Sequence, residues 1–261
     1  MYNFNCKGLE EIKSLRNKIV GNDENLIVIR KNNGEVFRVK QFHRGIHPGL
    51  TIRLSGTGNI IILNEPIFFR ESLINISSSN NIVEIKPTKR LVMLSLCITD
   101  GNHQSLIIDE DFSCGRTQML MHEEYASIRI GKGCMFSADI VLMNSDSHCV
   151  STQGSDSKCE NIARGIYIGD KVWVGRGAAI FKNASLANGS ILGAYSVLAR
   201  SFKEENVALA GNPAKIVKTN ITWDRMSVSR FIRETSEKES LDQLMKNIAV
   251  YNKLRENILT N

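Results

Sequence analysis

From Ile168 onward an aliphatic side chain returns every six residues, at Ile168, Val174, Ile180, Leu186, Leu192 and Leu198. A small residue follows four positions after each of the first five: Val172, Ala178, Ala184, Ser190 and Ser196. A period of six fits neither an α-helix, with its 3.6-residue turn, nor a long strand alternating every second residue. It fits a short strand plus a corner. Three such hexads close a triangular coil, and coils stacked at the strand spacing of ~4.8 Å place each aliphatic above its equivalent in the next. Gly169, Gly175 and Gly193 directly follow three of the aliphatics, where a tight corner leaves no room for a side chain or needs positive φ.

The stretch Ile130-Gly131-Lys132-Gly133-Cys134-Met135-Phe136-Ser137-Ala138-Asp139-Ile140-Val141-Leu142 fits the same template in a shifted phase. The shift requires an insertion, and residues 148–165, with Ser151, Gly154, Ser155, Asp156 and Ser157, have the composition of a protruding loop. Upstream the pattern widens. Gly58-Asn59-Ile60, Asn80-Asn81-Ile82 and Asn102-His103-Gln104-Ser105-Leu106 recur at a spacing of 22, each a polar turn leading into an apolar strand. The pattern predicts an all-β solenoid over 50–222, clearest at 128–203, with irregular N-terminal coils and with residues 1–49 capping the exposed strand edges. From Trp223 the period changes. Leu241, Leu244, Met245, Ile248, Tyr251 or Asn252, Leu254 and Ile258 predict an amphipathic C-terminal helix over part of 223–261, packed on the solenoid or on a neighbouring subunit.

Composition narrows this picture only slightly. The 261 residues suffice for one large domain with an appendage. The net charge of +6 is spread along the chain, without a block of consecutive Lys/Arg, which disfavours nucleic acid and fits either a plain solvated surface or an acidic small molecule or glycan as partner. No segment has the length and apolarity of a membrane span, so no membrane insertion is expected. Met1-Tyr2-Asn3-Phe4-Asn5 lacks the order of a signal peptide, pointing to the cytoplasm. The six cysteines show no CxxC pair or metal spacing and read as reduced, partly buried residues.

Two features break the repeat. In Asn144-Ser145-Asp146-Ser147-His148, Asp146 falls where a small corner residue belongs and His148 stands at the lip of the long loop. Histidine titrates nearest neutrality and can take a proton from a hydroxyl; the alternative is a solvated turn in which Asp146 caps its own backbone. Trp173 should point outward beside a corner, offering a flat apolar face to a ligand or partner, or else pack beneath the 148–165 loop. His122 can face the site one coil before Asp146 or be a plain surface or packed residue. Cys149, beside His148, lacks an identifiable orienting group and is a poor nucleophile candidate.

Ile168-Gly-Asp-Lys-Val-Trp-Val-Gly-Arg, Leu192-Gly-Ala-Tyr-Ser-Val and Ala210-Gly-Asn-Pro-Ala-Lys resemble the hexapeptide-repeat acetyltransferases, a superfamily that includes galactoside and maltose O-acetyltransferases. The Asp146-Ser147-His148 block and Gly133-Cys134-Met135-Phe136-Ser137 look closer still to capsule and polysialic acid O-acetyltransferases. The resemblance covers about residues 105–222, and the first hundred only loosely. It implies a left-handed parallel β-helix, although general crossover rules favour the right-handed form. It further implies a homotrimer with sites between subunits, acetyl-CoA as donor, a sugar or polysaccharide acceptor such as sialic acid, direct transfer without an acyl-enzyme, and no metal. On this resemblance His148 matches the catalytic base, and Asp146 is a candidate to orient it. Trp173 matches an aromatic lying against coenzyme A. Arg176, Ala194 and Ala199 match positions meeting the pantetheine arm, and Arg200 and Lys215 match basic positions near the nucleotide phosphates. Tyr195 departs from the family, which commonly has a small residue there. Three further readings compete: a zinc hydratase of the γ-carbonic anhydrase type, which needs three convergent histidines; a non-catalytic assembly solenoid; and N-acetylation of an amino sugar nucleotide.

Overall fold

The computed structural model describes residues 25–39, 48–154, 158–235 and 238–259. Two units emerge, one running to Thr222 and the other from Trp223. The first is a left-handed parallel β-helix. Its register carries the sixfold repeat directly: Ile168 lies beside Leu186, Val174 beside Leu192 and Ile180 beside Leu198, so three hexads make one coil. All six aliphatics are buried, as are the five small residues that share the corners with them.

Three faces result. The first carries Phe68–Phe69, Met135–Phe136, Trp173–Val174, Ile191–Leu192 and Ala208–Ala210. The second carries Leu50–Leu54, Ser72–Ile76, Ile140–Met143, Ala179–Phe181 and Val197–Leu198. In the wide coils the long strands Leu91–Ile98 and Ser113–Met121 round the edge between these two faces and join them in one sheet, with a register shift between Cys114 and Thr117. The third face stacks Leu26–Arg30, Ile60–Asn64, Ile82–Ile85, Ser105–Ile108, Ser127–Ile130, Gly165–Ile168, Ser185–Leu186 and Ser201–Phe202. Its early rungs pair Ile60 with Ile82 and Ile82 with Ser105, which is the spacing of about 22 seen in the sequence.

Within the 1–49 stretch, a parallel rung already begins at Leu26. Val36–Val39 then folds back antiparallel on it, and at the opposite end Lys215–Lys218 folds back on Ala208–Ala210, so a hairpin covers the third face at one end and the first face at the other. Residues 1–24 and 40–47 of the expected cap lie outside the described residues.

The edge between the second and third faces is built by a recurring left-handed residue: Asn80, His103, Tyr125 and Ser147 all have φ near 60°. Inside it runs a polar ladder. Asn59 bonds to Asn25 and accepts from Asn81, Asn81 accepts from the backbone of Gln104, and Gln104 accepts from the Asn144 amide. Asn59, Asn81 and Asn144 are fully buried, and their hydrogen bonds offset the cost of removing amides from water.

In the second unit, α1 (Val228–Thr235) starts at Ser227, whose hydroxyl caps the Arg230 amide, and α2 spans Lys238–Leu259. Met245, Ile248 and Tyr251 of the expected apolar stripe are exposed, while the side chains of Leu241, Leu244, Leu254 and Ile258 lie outside the described set. No described helix is long and apolar enough to cross a membrane.

Candidate active site

The inserted loop departs from the edge between the second and third faces, after Met143, and returns at Gly165. Its base is held by the polar ladder, since Asn144 accepts a 2.9 Å bond from the His122 amide. Ser145 donates to Glu123 (2.8 Å) and receives the Ser147 amide (2.9 Å). The His122 ring meets the Ser147 hydroxyl at 2.8 Å, so His122 faces the site from one coil earlier. Ser147, in the left-handed conformation, turns the chain so that His148 projects into solvent.

Asn161, from the returning arm, clamps both flanks: its side-chain amide donates 2.9 Å bonds to the Asp146 carboxylate and to the His148 carbonyl, and its backbone carbonyl accepts from Lys182. The Lys182 ammonium also pairs with Asp146. The bond from Lys182, then that from Asn161, hold the Asp146 carboxyl below the usual carboxylate range. Asp146 thus fixes the loop through Lys182 and Asn161, and a neighbouring ammonium attracts a carboxylate more strongly than an imidazole does. Among the described residues the His148 ring has no hydrogen-bond partner, which leaves both its nitrogens to an incoming group.

Cys149 is exposed, and its thiol approaches Ser151 at 3.7 Å. Contact with Cys159 pushes its titration above the ordinary thiol value, and a thiol kept protonated is a poorer nucleophile.

The residues assigned to the coenzyme lie elsewhere. Trp173 stands half-buried on the first face, between Met135 and Ile191, with its ring N–H 3.4 Å from the Ser137 hydroxyl. That face is opposite the edge bearing the loop, so Trp173 does not pack beneath it. Arg176 and Ala194 sit on the edge between the first and second faces. There Asp139 is shared by Arg176 (3.0 Å) and Arg116 (2.8 Å). Tyr195, with φ 56°, lays its ring over Gly177 and leaves it 72 % exposed. Ala199 and Arg200 are exposed on the loop's own edge, the Arg200 guanidinium 4.8 Å from the Phe202 ring centre. Lys215 is exposed in the terminal hairpin.

One chain thus gathers His148, Asp146, Ala199 and Arg200 on one edge, and places Trp173, Arg176 and Ala194 across the prism. Asn161, Lys182 and the Ser147–His122 contact escaped the sequence reading. Only His122, one wide coil of about 22 residues before Asn144, carried a usable signal. Among the described residues no cluster of three or more His, Cys, Asp or Glu could hold a metal.

The chain is similar in part of its length to known O-acetyltransferases. The chain is 32 % identical over 108 residues to a polysialic acid O-acetyltransferase of Escherichia coli O1:K1, a match covering 41 % of this chain and 34 % of that protein. It is 29 % identical over 121 residues to the polysialic acid O-acetyltransferase of Neisseria meningitidis, covering 46 % of this chain and 55 % of that one. It therefore spans between a third and just over half of the length of these two relatives. No protein-family model matches the chain. Among solved structures, the polysialic acid-specific acetyltransferase NeuO superposes with a TM-score of 0.65 over 85 % of this chain and 94 % of NeuO, at 24 % identity. The polysialic acid O-acetyltransferase OatWY gives 0.51 over 74 % of this chain and 93 % of OatWY, at 25 % identity. The relatives of this chain are thus polysialic acid O-acetyltransferases and other hexapeptide-repeat acetyltransferases, the superfamily its motifs resemble, and its fold is their left-handed β-helix.

Proposed function

We propose that the chain transfers an acetyl group from acetyl-CoA to a hydroxyl of a sugar, in sialic acid or another unit of a capsular or surface polysaccharide, with His148 as general base. The observation that carries this reading is the His148 imidazole, unpartnered and solvent-facing on a loop clamped on both flanks by Asn161. A base must be fixed in position yet open to the proton it abstracts. The imidazole takes the hydroxyl proton as the oxygen attacks the thioester carbonyl, and returns it to the departing thiolate. Backbone N–H groups at the corners are the natural donors to the oxyanion.

The donor fits the opposite edge: Trp173 offers an indole face, Arg176 a cation, and Ala194 leaves backbone groups open. Because this set lies across the prism from His148, a complete site needs a second copy of the chain to bring its Trp173 edge against the loop. That supports the homotrimer implied by the family resemblance. Base catalysis of this kind is worth ~10²–10⁴-fold, about 3–5 kcal/mol. The test is free-thiol release from acetyl-CoA against a panel of glycans, comparing wild type with His148→Ala. The variant is expected to stay folded and to lose at least ~100-fold in turnover; an unchanged rate removes His148 from the role.

A further inference from the structure

The third face holds a feature that acetyl transfer at His148 does not use. Its outward positions step down along one column, from Arg129 and Tyr167 to Ser185 and Ser201, which are neighbours in register. The two serines leave open what larger side chains fill above them. The result is a groove of about 810 Å³, floored by Leu186 and Phe202 and walled by Tyr167 and Ile162. Its rim is cationic: Arg129, Arg164 and Lys203 face a single carboxylate, Glu205, which the Asn188 amide already engages at 2.8 Å. Arg129 lies 3.6 Å from Asp109. Arg164 and Lys203 are exposed and have no ionic partner among the described residues.

The groove is continuous with the catalytic loop. Ile162 and Arg164 belong to the returning arm, directly after the Asn161 that holds the His148 carbonyl. The Arg164 amide is itself pinned to the Asn183 side chain at 2.7 Å. Unpaired cations beside an aromatic ring and the side-chain amides of Asn183 and Asn188 are suited to a hydroxyl-rich chain bearing carboxylates. A volume of this size exceeds what one monosaccharide requires.

We propose that this groove binds an acidic glycan chain, with Arg164 and Lys203 taking carboxylates of the sugars that flank the one presented to His148. The coenzyme is not its occupant, because none of the residues matched to the coenzyme (Trp173, Arg176, Ala194, Ala199, Arg200 and Lys215) lines the groove. The proposal rests on the acetyltransferase reading for its purpose, but binding can be measured without turnover, so the two fail separately.

The experiment measures binding of a sialic acid oligomer to the full chain without acetyl-CoA, against the same oligomer with its carboxyl groups reduced. The variants are Arg164→Gln/Lys203→Gln, which removes charge from exposed positions, and Ser185→Phe, which fills the groove without changing charge. The acidic oligomer is expected to bind more weakly as salt rises, to lose about tenfold or more in affinity in each variant, and to outbind the reduced oligomer. Binding of coenzyme A should be unchanged in both variants. Equal affinity of wild type and both variants, no binding of the acidic oligomer by wild type, or displacement of the oligomer by coenzyme A would each overturn the proposal. Loss of acetyl transfer in His148→Ala with oligomer binding intact upholds it.

Discussion

The buried polar ladder makes a quantitative prediction at Asn81. Its side chain is fully buried, accepts the Gln104 amide at 2.9 Å, and donates to Asn59 at 2.9 Å and to Ser78 at 3.0 Å. Replacement by Ala removes all three bonds. Water can replace Asn81 at the partly exposed Ser78, so that loss weighs little. The other two bonds are internal, and each contributes about 1 kcal/mol, while the Gln104 N–H is left buried without an acceptor at a further cost of about 1–3 kcal/mol. Asn81→Ala is therefore expected to destabilise the β-helix by about 3–5 kcal/mol. For a chain of this size that is a fall of roughly 6–20 °C in Tm. Thermal and urea unfolding measure the total, and amide hydrogen exchange localises it, with the Gln104 amide losing protection. A loss below about 1 kcal/mol with Gln104 still protected would refute the reasoning, since it would mean that the ladder fills space without bearing load.

Further predictions concern the loop and the corners. Asp146 titrates below the usual carboxylate range in the folded chain, so its contribution to loop order is present above the unfolded value and is lost as pH falls through the lowered native one. Lys182→Met should raise the Asp146 titration seen by carboxyl NMR and shift loss of loop order to higher pH; an unmoved titration would remove the ion pair from the account. Gly165 has φ +138°, and a Cβ there would press on the Ser127 carbonyl oxygen of the adjacent rung well inside van der Waals contact, so Gly165→Ala should cost more than about 2 kcal/mol by urea unfolding. Gly177→Ala should cost about 1–2 kcal/mol, from its φ of +67°. The Tyr195 ring that a new Cβ would touch is exposed and can swing aside, so adding Tyr195→Ala should recover little of that loss; near-complete recovery would show that the ring clash, and not the backbone, dominates.

The repeat was fully legible in the chain. A six-residue period has one economical solution, and each of Ile168, Val174, Ile180, Leu186, Leu192 and Leu198 is buried in the predicted register. The inserted loop was legible as well, because a change of phase between Leu142 and Ile168 requires extra residues. The Asn59–Asn81 ladder showed as a polar turn recurring every 22 positions, although its inward direction did not. Local pattern repeats in sequence whatever the chain later does in space, so the sequence alone determines rungs, corners and insertion.

What only the tertiary structure decided is which corner faces which. Asp146 meets Lys182 36 positions away, Asn161 reaches back across the loop to His148, and His122 touches Ser147 from the coil before. The first two pairs have no characteristic spacing, because the loop length, not the hexad, sets their separation; His122 and Ser147 stand roughly one wide coil apart. The same geometry separates His148 from Trp173, although Trp173 follows the loop's return at Gly165 by only eight residues and linear order alone would have set it close to the catalytic loop. In a triangular solenoid, a shift of a few residues along the chain carries a side chain round to another edge, and closeness in sequence then says little about closeness in space.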